Sequence, residues 1–167
     1  GRRVGTSRVE EDRLGDARKA LDLAARLKAD LHLPVDHVCS TVFAEIGGHI
    51  EVCEENIKDG MMGLDIAPKT QAKFVQVLSK AGTIVWNGPM GVFEWPAFAV
   101  GTQQVASAIA DATSRGAVSI VGGGDSAAAV EKFGLASRMS HVSTGGGASL
   151  EMLEGKKFES VELLDNA

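Results

Sequence analysis

AVSIVGGGDSAAAVEKFGLASRMSHVSTGGGASLEML, residues Ala117 to Leu153, contains one device twice. A β-branched run (Val118, Ile120, Val121) meets Gly122-Gly123-Gly124, and an Ala-rich helix-former follows from Ser126 to Phe133. Further on, His141-Val142-Ser143-Thr144 meets Gly145-Gly146-Gly147, and a second helical pattern carries Leu150 and Leu153. Strand, glycines, helix is an arrangement that sets backbone N–H groups at the positive end of a helix. Glycine lets that backbone approach a bulky anion where a Cβ would obstruct it. A Gly-rich turn can also be a tight loop packed on a neighbour. Two in tandem suggest a polyphosphate, although the triplets alone do not name it.

Composition narrows the classes. At 167 residues with 44% hydrophobic and 23% charged side chains, the chain reads as one globular domain of ordinary size. A net charge of −5 without a basic stripe speaks against a nucleic-acid surface. No apolar run reaches the ~18 residues of a membrane span, and Gly1-Arg2-Arg3 lacks the apolar core of a signal peptide. Cys39 and Cys53 have no paired-ligand spacing, which suits a reduced cytoplasmic setting. His32, His37, His49 and His141 form no metal motif and read as structural or surface residues.

Outward from the quoted stretch, the periodicity predicts a helix over Glu10–Ala29 with Leu14, Ala17, Leu21, Ala24 and Leu27 on one face. Leu31, Leu33, Val35 and Val38 suggest a strand, with Pro34 at an edge or bulge. Thr41–Glu55 has no clear period, though Ile50 and Val52 alternate as in a strand. Gly60–Asp65 reads as a turn and short strand. Pro68 opens a helix to Ala81, with Phe74, Val77 and Leu78 inward. Thr83–Trp86 is a buried strand leading into the turn-rich Asn87-Gly-Pro-Met-Gly91. Ala97–Ser114 is a helix with Phe98, Val105, Ile109 and Ala112 as its core stripe. Alternating helices and strands imply a parallel sheet covered by helices, with ligands beyond the carboxyl ends of its strands.

Two phosphate motifs fail on inspection. Gly122-x-Gly124-x-x-Ala127 fits the loose dinucleotide fingerprint, but His141–Thr144 stand where it needs an acidic residue for the ribose. Gly63-x-x-x-x-Pro68-Lys69-Thr70 approximates a P-loop, yet proline removes an N–H that the cradle requires. Asp125 has two readings, a helix N-cap or a ligand to Mg²⁺ on a polyphosphate.

Trp86-Asn-Gly-Pro-Met-Gly-Val-Phe-Glu94, Gly122-Gly-Gly-Asp-Ser126 and Ser143-Thr-Gly-Gly-Gly-Ala-Ser-Leu-Glu151 resemble the signature elements of the phosphoglycerate kinase family. Gly63–Thr70 and Ser7–Asp12 are similar to it too, in the family's order, so the resemblance covers essentially the whole chain. It implies the later part of the C-terminal, nucleotide-binding domain. That domain is a Rossmann-like, three-layer α/β fold whose parallel sheet has helices on both faces, here incomplete at its N-terminus. The implied reaction is reversible phosphoryl transfer between 1,3-bisphosphoglycerate and Mg-ADP, giving 3-phosphoglycerate and ATP.

By the same resemblance, Leu64 borders the adenine slot, and Asn87, Pro89, Gly91 and Val92 line the nucleotide site. Glu94 takes the ribose hydroxyls. Gly122, Gly123 and Gly124 flank the nucleotide, with Asp125 on Mg²⁺ and Ser126 near the phosphates. Gly145, Gly146 and Gly147 offer N–H groups to the phosphoryl group in flight, as a transition state with charged equatorial oxygens requires. Ala67 and Met61 depart from the family's usual glycine and tryptophan beside the adenine slot, and Ser126 replaces a frequent threonine. The family's phosphate-binding lysines and its N-terminal phosphoglycerate-binding domain have no counterpart here. The chain is therefore expected to be a fragment supplying the nucleotide half-site, with a catalytically silent nucleotide-binding module as the alternative. Its expected partners are adenine nucleotide and, through the missing domain, 3-phosphoglycerate or 1,3-bisphosphoglycerate, with neither nucleic acid nor membrane. Leu163–Ala167 resembles the family's C-terminus.

Overall fold

A computed structural model describes residues 2–157, so the resemblance at Leu163–Ala167 lies outside the described residues. The chain divides into two compact units: residues up to Val75 with Met90–Gly101, and Gln76–Pro89 with the residues from Thr102 onward.

In the first unit, β1 (His37–Ser40) lies between β2 (Ile50–Cys53) and β3 (Met62–Ile66), antiparallel to both. This differs from the parallel arrangement that alternation predicts, because the β1–β2 connection contains no helix. Cys39, Cys53, Ile57 and Met61 form one buried apolar cluster, so Met61 is a core residue here, and Ala67 is fully buried.

The strand expected from Leu31 begins only at His37. The intervening residues serve the next helix instead. α2 (Pro68–Leu78) receives Asp36 as a remote cap: its carboxylate accepts the Lys69 and Thr70 N–H groups, each at 2.8 Å. The Thr70 hydroxyl donates to the same carboxylate and accepts the N–H groups of Val35 (3.0 Å) and Asp36 (3.1 Å). Those amides are spent on a side chain, so no ladder can use them. Thr70 is the buried residue of α2, whereas the expected inward Val77 is exposed.

A 3₁₀ turn at Glu11–Arg13 leads into α1 (Leu14–Leu27), matching the expected helix. None of its residues is buried, and the predicted core stripe stands open, with Leu27 68% exposed.

The second unit holds the parallel sheet. Its strands β4 (Thr83–Asn87), β5 (Val118–Gly122) and β6 (His141–Ser143) run side by side in that order. Only alternate residues of β4 are buried (Ile84 and Trp86), so this strand is covered on one face rather than two. α3 (Val100–Ser114) follows a 3₁₀ turn at Pro96–Phe98. Its predicted stripe is borne out: Val105, Ile109 and Ala112 are buried, as is Phe98 just ahead of it. α4 (Gly124–Lys132) and α5 (Gly146–Leu153) each follow a glycine turn, and the sheet with these flanking helices makes the chain an α/β protein.

Candidate functional site

The register of the parallel sheet puts Asn87, Gly122 and Ser143 in one row at the carboxyl ends of three neighbouring strands. Just beyond that row the two glycine triplets meet. The Gly123 N–H donates to the Ser143 carbonyl at 3.0 Å. A Cβ built on Gly146 would lie 2.6 Å from Gly123 Cα and 3.0 Å from Asn87 Oδ1; one on Gly123 would lie 2.9 Å from the same oxygen. Gly123 also has φ +96°, the left-handed conformation that favours glycine. The tight-loop reading therefore accounts for Gly123 and Gly146. It does not account for Gly124 or Gly147, where an added Cβ meets nothing within 4 Å.

Not every amide of the triplets is bare. The Gly123 N–H is committed to Ser143, and the Gly145 N–H donates to Ser143 Oγ at 3.1 Å. In α4 the first intrahelical bond is Ala127 N–H to the Gly123 carbonyl, so the amides of Gly124, Asp125 and Ser126 precede the ladder at the positive end of the helix. The N-cap of α4 is Gly123, without a side-chain cap hydrogen bond. Asp125 is consequently inside the helix, exposed in its first turn, and the cap reading of this residue is overturned. The helix begins two residues before the expected Ser126 because the positive φ of Gly123 completes the turn at once.

Ser126 is fully buried, and its hydroxyl accepts the Gly88 N–H at 2.6 Å. This bond pins the turn after β4, where Gly88 has φ +100° and its carbonyl accepts the Trp86 indole N–H at 2.7 Å. Asn87 is exposed and Pro89 half-buried beside it.

Leu64, Gly91, Val92 and Glu94 belong to the first unit. Val92 N–H donates to the Leu64 carbonyl at 2.9 Å, and a Cβ on Gly91 would come within 2.5 Å of that carbonyl. Leu64 is buried at 8% exposure, so it offers little surface of its own; Val92 is half-buried and Glu94 exposed. Sequence reasoning passed over Asp65, next to Leu64. It is a buried carboxylate that accepts the Ile66 N–H at 2.8 Å and the Gly101 N–H at 2.7 Å. Burial pushes its pKa up to about 6, against the opposing pull of those two N–H groups. A carboxylate inside the apolar run Leu64–Ile66 was the available signal. Among the described residues no group of three or more His, Cys, Asp or Glu side chains could hold a metal by itself. A lone exposed carboxylate such as Asp125 suits Mg²⁺ that keeps most of its ligands from phosphate and water.

Comparison with known proteins points to one family. The family model for phosphoglycerate kinase matches residues 1–156. The chain is 52% identical over 166 residues to a cytosolic phosphoglycerate kinase of Trypanosoma congolense, covering 99% of this chain and 40% of the relative. It is 52% identical over 167 residues to the glycosomal phosphoglycerate kinase of the same organism, covering 99% of this chain and 33% of that relative. The solved structure of phosphoglycerate kinase from Coxiella burnetii superposes with a TM-score of 0.87 at 43% identity, over 93% of this chain and 40% of that one. The chain thus spans about two fifths or less of the length of these relatives. Near-complete coverage of this chain, at such identity and with the same fold, makes it a member of the phosphoglycerate kinase family.

Proposed function

We propose that this chain supplies the nucleotide half-site of a phosphoglycerate kinase, which moves the acyl phosphate of 1,3-bisphosphoglycerate to Mg-ADP or runs the reverse. The supporting observation is the row of Asn87, Gly122 and Ser143, where the two triplets open α4 and α5 beside each other. The free amides of Gly124 and Asp125 bind phosphate oxygens of ADP or ATP, and Asp125 holds Mg²⁺. When bound, Mg²⁺ neutralises charge on the phosphates. Gly146 and Gly147 donate to the phosphoryl group in flight, while the Gly145 N–H, taken by Ser143 Oγ, fixes the turn that presents them; fixed donors stabilise its spreading charge without reorganising. Ser126 acts by holding the Gly88 turn, and with it Asn87 and Pro89. Leu64 borders the adenine, Gly91 and Val92 line the nucleotide site beside it, and Glu94 takes the ribose hydroxyls through its paired acceptors.

The phosphoglycerate substrate is assigned to an N-terminal domain, on the ground that the arginines of this chain do not cluster. Arg13, Arg18 and Arg26 all lie exposed along the first helical segment. The negative net charge speaks against a nucleic-acid partner, and no helix among the described residues is long and apolar enough to cross a membrane. We assign the protein to the cytoplasm, the compartment named for one of the two trypanosomal relatives; recovery in a membrane-bound organelle would overturn that.

The experiment is calorimetric titration of the chain with ADP, with and without Mg²⁺, paired with an assay for ATP formation from 1,3-bisphosphoglycerate. Nucleotide binding without turnover is expected, since in-line positioning of both substrates supplies much of the acceleration. Turnover at the rate of an intact kinase would sink the half-site assignment. Asp125→Asn should remove the Mg²⁺ enhancement at a stability cost of no more than about 1 kcal/mol, the worth of a carboxylate in the first turn of a helix, because Asp125 caps nothing.

A further inference from the structure

The connection from Gly91 to Gly101 is tied to β3 at both ends, through the neighbouring residues Leu64 and Asp65. At its start, Val92 N–H donates to the Leu64 carbonyl, and Gly91 lies so close that a Cβ would be 2.5 Å from Asp65 Oδ1. At its end, Gly101 N–H donates to Asp65 Oδ2 at 2.7 Å, and a Cβ there would collide with Asp65 Oδ1. The residue preceding α3 is Ala99, which has no side chain able to cap it; the acceptor for this helix start comes from Asp65 instead. Between the two ties lie Val92 and Glu94.

We propose that Asp65 is a positioning residue for the nucleoside: by fastening the Gly101 end of the connection to β3, whose Leu64 carbonyl fastens its start, it holds Val92 and Glu94 where base and ribose are taken. This rests on the nucleotide reading above. Asp65 touches no ligand itself, being 4% exposed with both carboxylate oxygens occupied by backbone N–H groups. Its requirement for two acceptors is specific. Asparagine would keep one acceptor and turn an NH₂ toward the other N–H, losing either the Gly101 tie or the Ile66 bond that orients the carboxylate for it, while preserving volume. A buried carboxylate is a costly choice for simple packing, as its raised pKa shows, and a short apolar residue would fill the same space without that cost.

The test compares ADP with inorganic pyrophosphate, a probe lacking base and ribose, on the full chain and on Asp65→Asn, by calorimetry at pH 7.5 with Mg²⁺. The expected result is about a tenfold loss of ADP affinity with pyrophosphate affinity unchanged. Equal ADP affinity in the two proteins overturns the role of Asp65 and leaves the nucleotide reading standing. Equal weakening of both probes also overturns it, since a general structural role does that. If the unsubstituted chain binds neither probe, the nucleotide reading fails, and the Asp65 role with it. Should Asp65→Asn show no cooperative melt, amide exchange on the unsubstituted chain decides. ADP should slow exchange at Ile66 and Gly101 about tenfold and pyrophosphate should not; equal protection by the two, or none by ADP, overturns the proposal.

Discussion

Gly146 stands on Gly123 with no room for a side chain between them: a Cβ on Gly146 would be 2.6 Å from Gly123 Cα and 2.8 Å from its nitrogen. Backbone cannot yield as a side-chain tip can. Gly146→Ala should therefore push α5 off the Gly123 turn and destabilise the second unit by about 1–3 kcal/mol, the usual range for overpacking. Gly147→Ala, which meets nothing within 4 Å, should hold stability or raise it by up to ~1 kcal/mol. The urea midpoint should fall for Gly146→Ala and hold or rise for Gly147→Ala. Equal shifts would mean that the triplets are not in contact.

Asp36 ties the segment before β1 to α2 through two amides and the Thr70 hydroxyl. Asp36→Ala should cost about 2 kcal/mol, a cap plus buried donors left unmet. The pH dependence has a definite sign. Although burial alone would raise its pKa, hydrogen bonds from Thr70 and Lys69 bring it below the ordinary 3.8. The folded state thus releases this proton more readily than the unfolded one. Its stabilisation is complete above pH 3.8 and is lost as pH falls through the lower folded value. The acid limb of unfolding should be shallower in Asp36→Asn than in the unsubstituted chain.

Asp65 has the opposite sign. With its pKa at about 6 against an ordinary 3.8, the folded chain keeps a proton that the unfolded chain releases through that window. Stability from this group is greatest below pH 3.8, falls as pH rises to about 6 and is level beyond; the change is at most about 3 kcal/mol. Between pH 4 and pH 7 the unsubstituted chain should lose stability relative to Asp65→Asn. Parallel curves for the two proteins would show that Asp65 does not titrate there.

Ser126→Ala leaves the Gly88 amide without its acceptor and should cost about 1–3 kcal/mol. Ser126→Thr keeps the oxygen and should stay within about 1 kcal/mol if the fully buried site admits one methyl. A Ser126→Ala variant as stable as its parent would remove the hydroxyl's hold on the turn.

Local chemistry was legible where the structure depends on local chemistry. α3 and its stripe of Val105, Ile109 and Ala112 follow from helical spacing alone, and the strand–glycine–helix order of both triplets is visible in the letters. Burial was not legible, because a stripe such as Leu14–Leu27 shows which face of α1 is apolar without showing what covers it. Pairing was equally hidden. Nothing near Val35 indicates that Thr70 will take its N–H, so apolar spacing there mimics a strand. The meeting of Gly123 with Gly146 and the clamp of Asp65 on Gly101 join residues far apart in sequence, and only tertiary structure brings them together.

The two tryptophans fall one to each unit, and this gives the chain a built-in optical readout. Trp86 is 5% exposed, with its indole N–H bonded to the Gly88 carbonyl, directly beside Asn87. Trp95 packs between Phe43, at 4.8 Å between ring centroids, and Phe98, at 6.2 Å. Their emission should differ in colour, the shielded Trp86 lying to the blue of the half-buried Trp95. A Trp95→Phe chain would leave a single emitter at the Asn87 turn, reporting phosphate-side events without an attached dye. A Trp86→Phe chain would report melting around Phe43 and Phe98, so that each unit could be watched in turn in one cuvette.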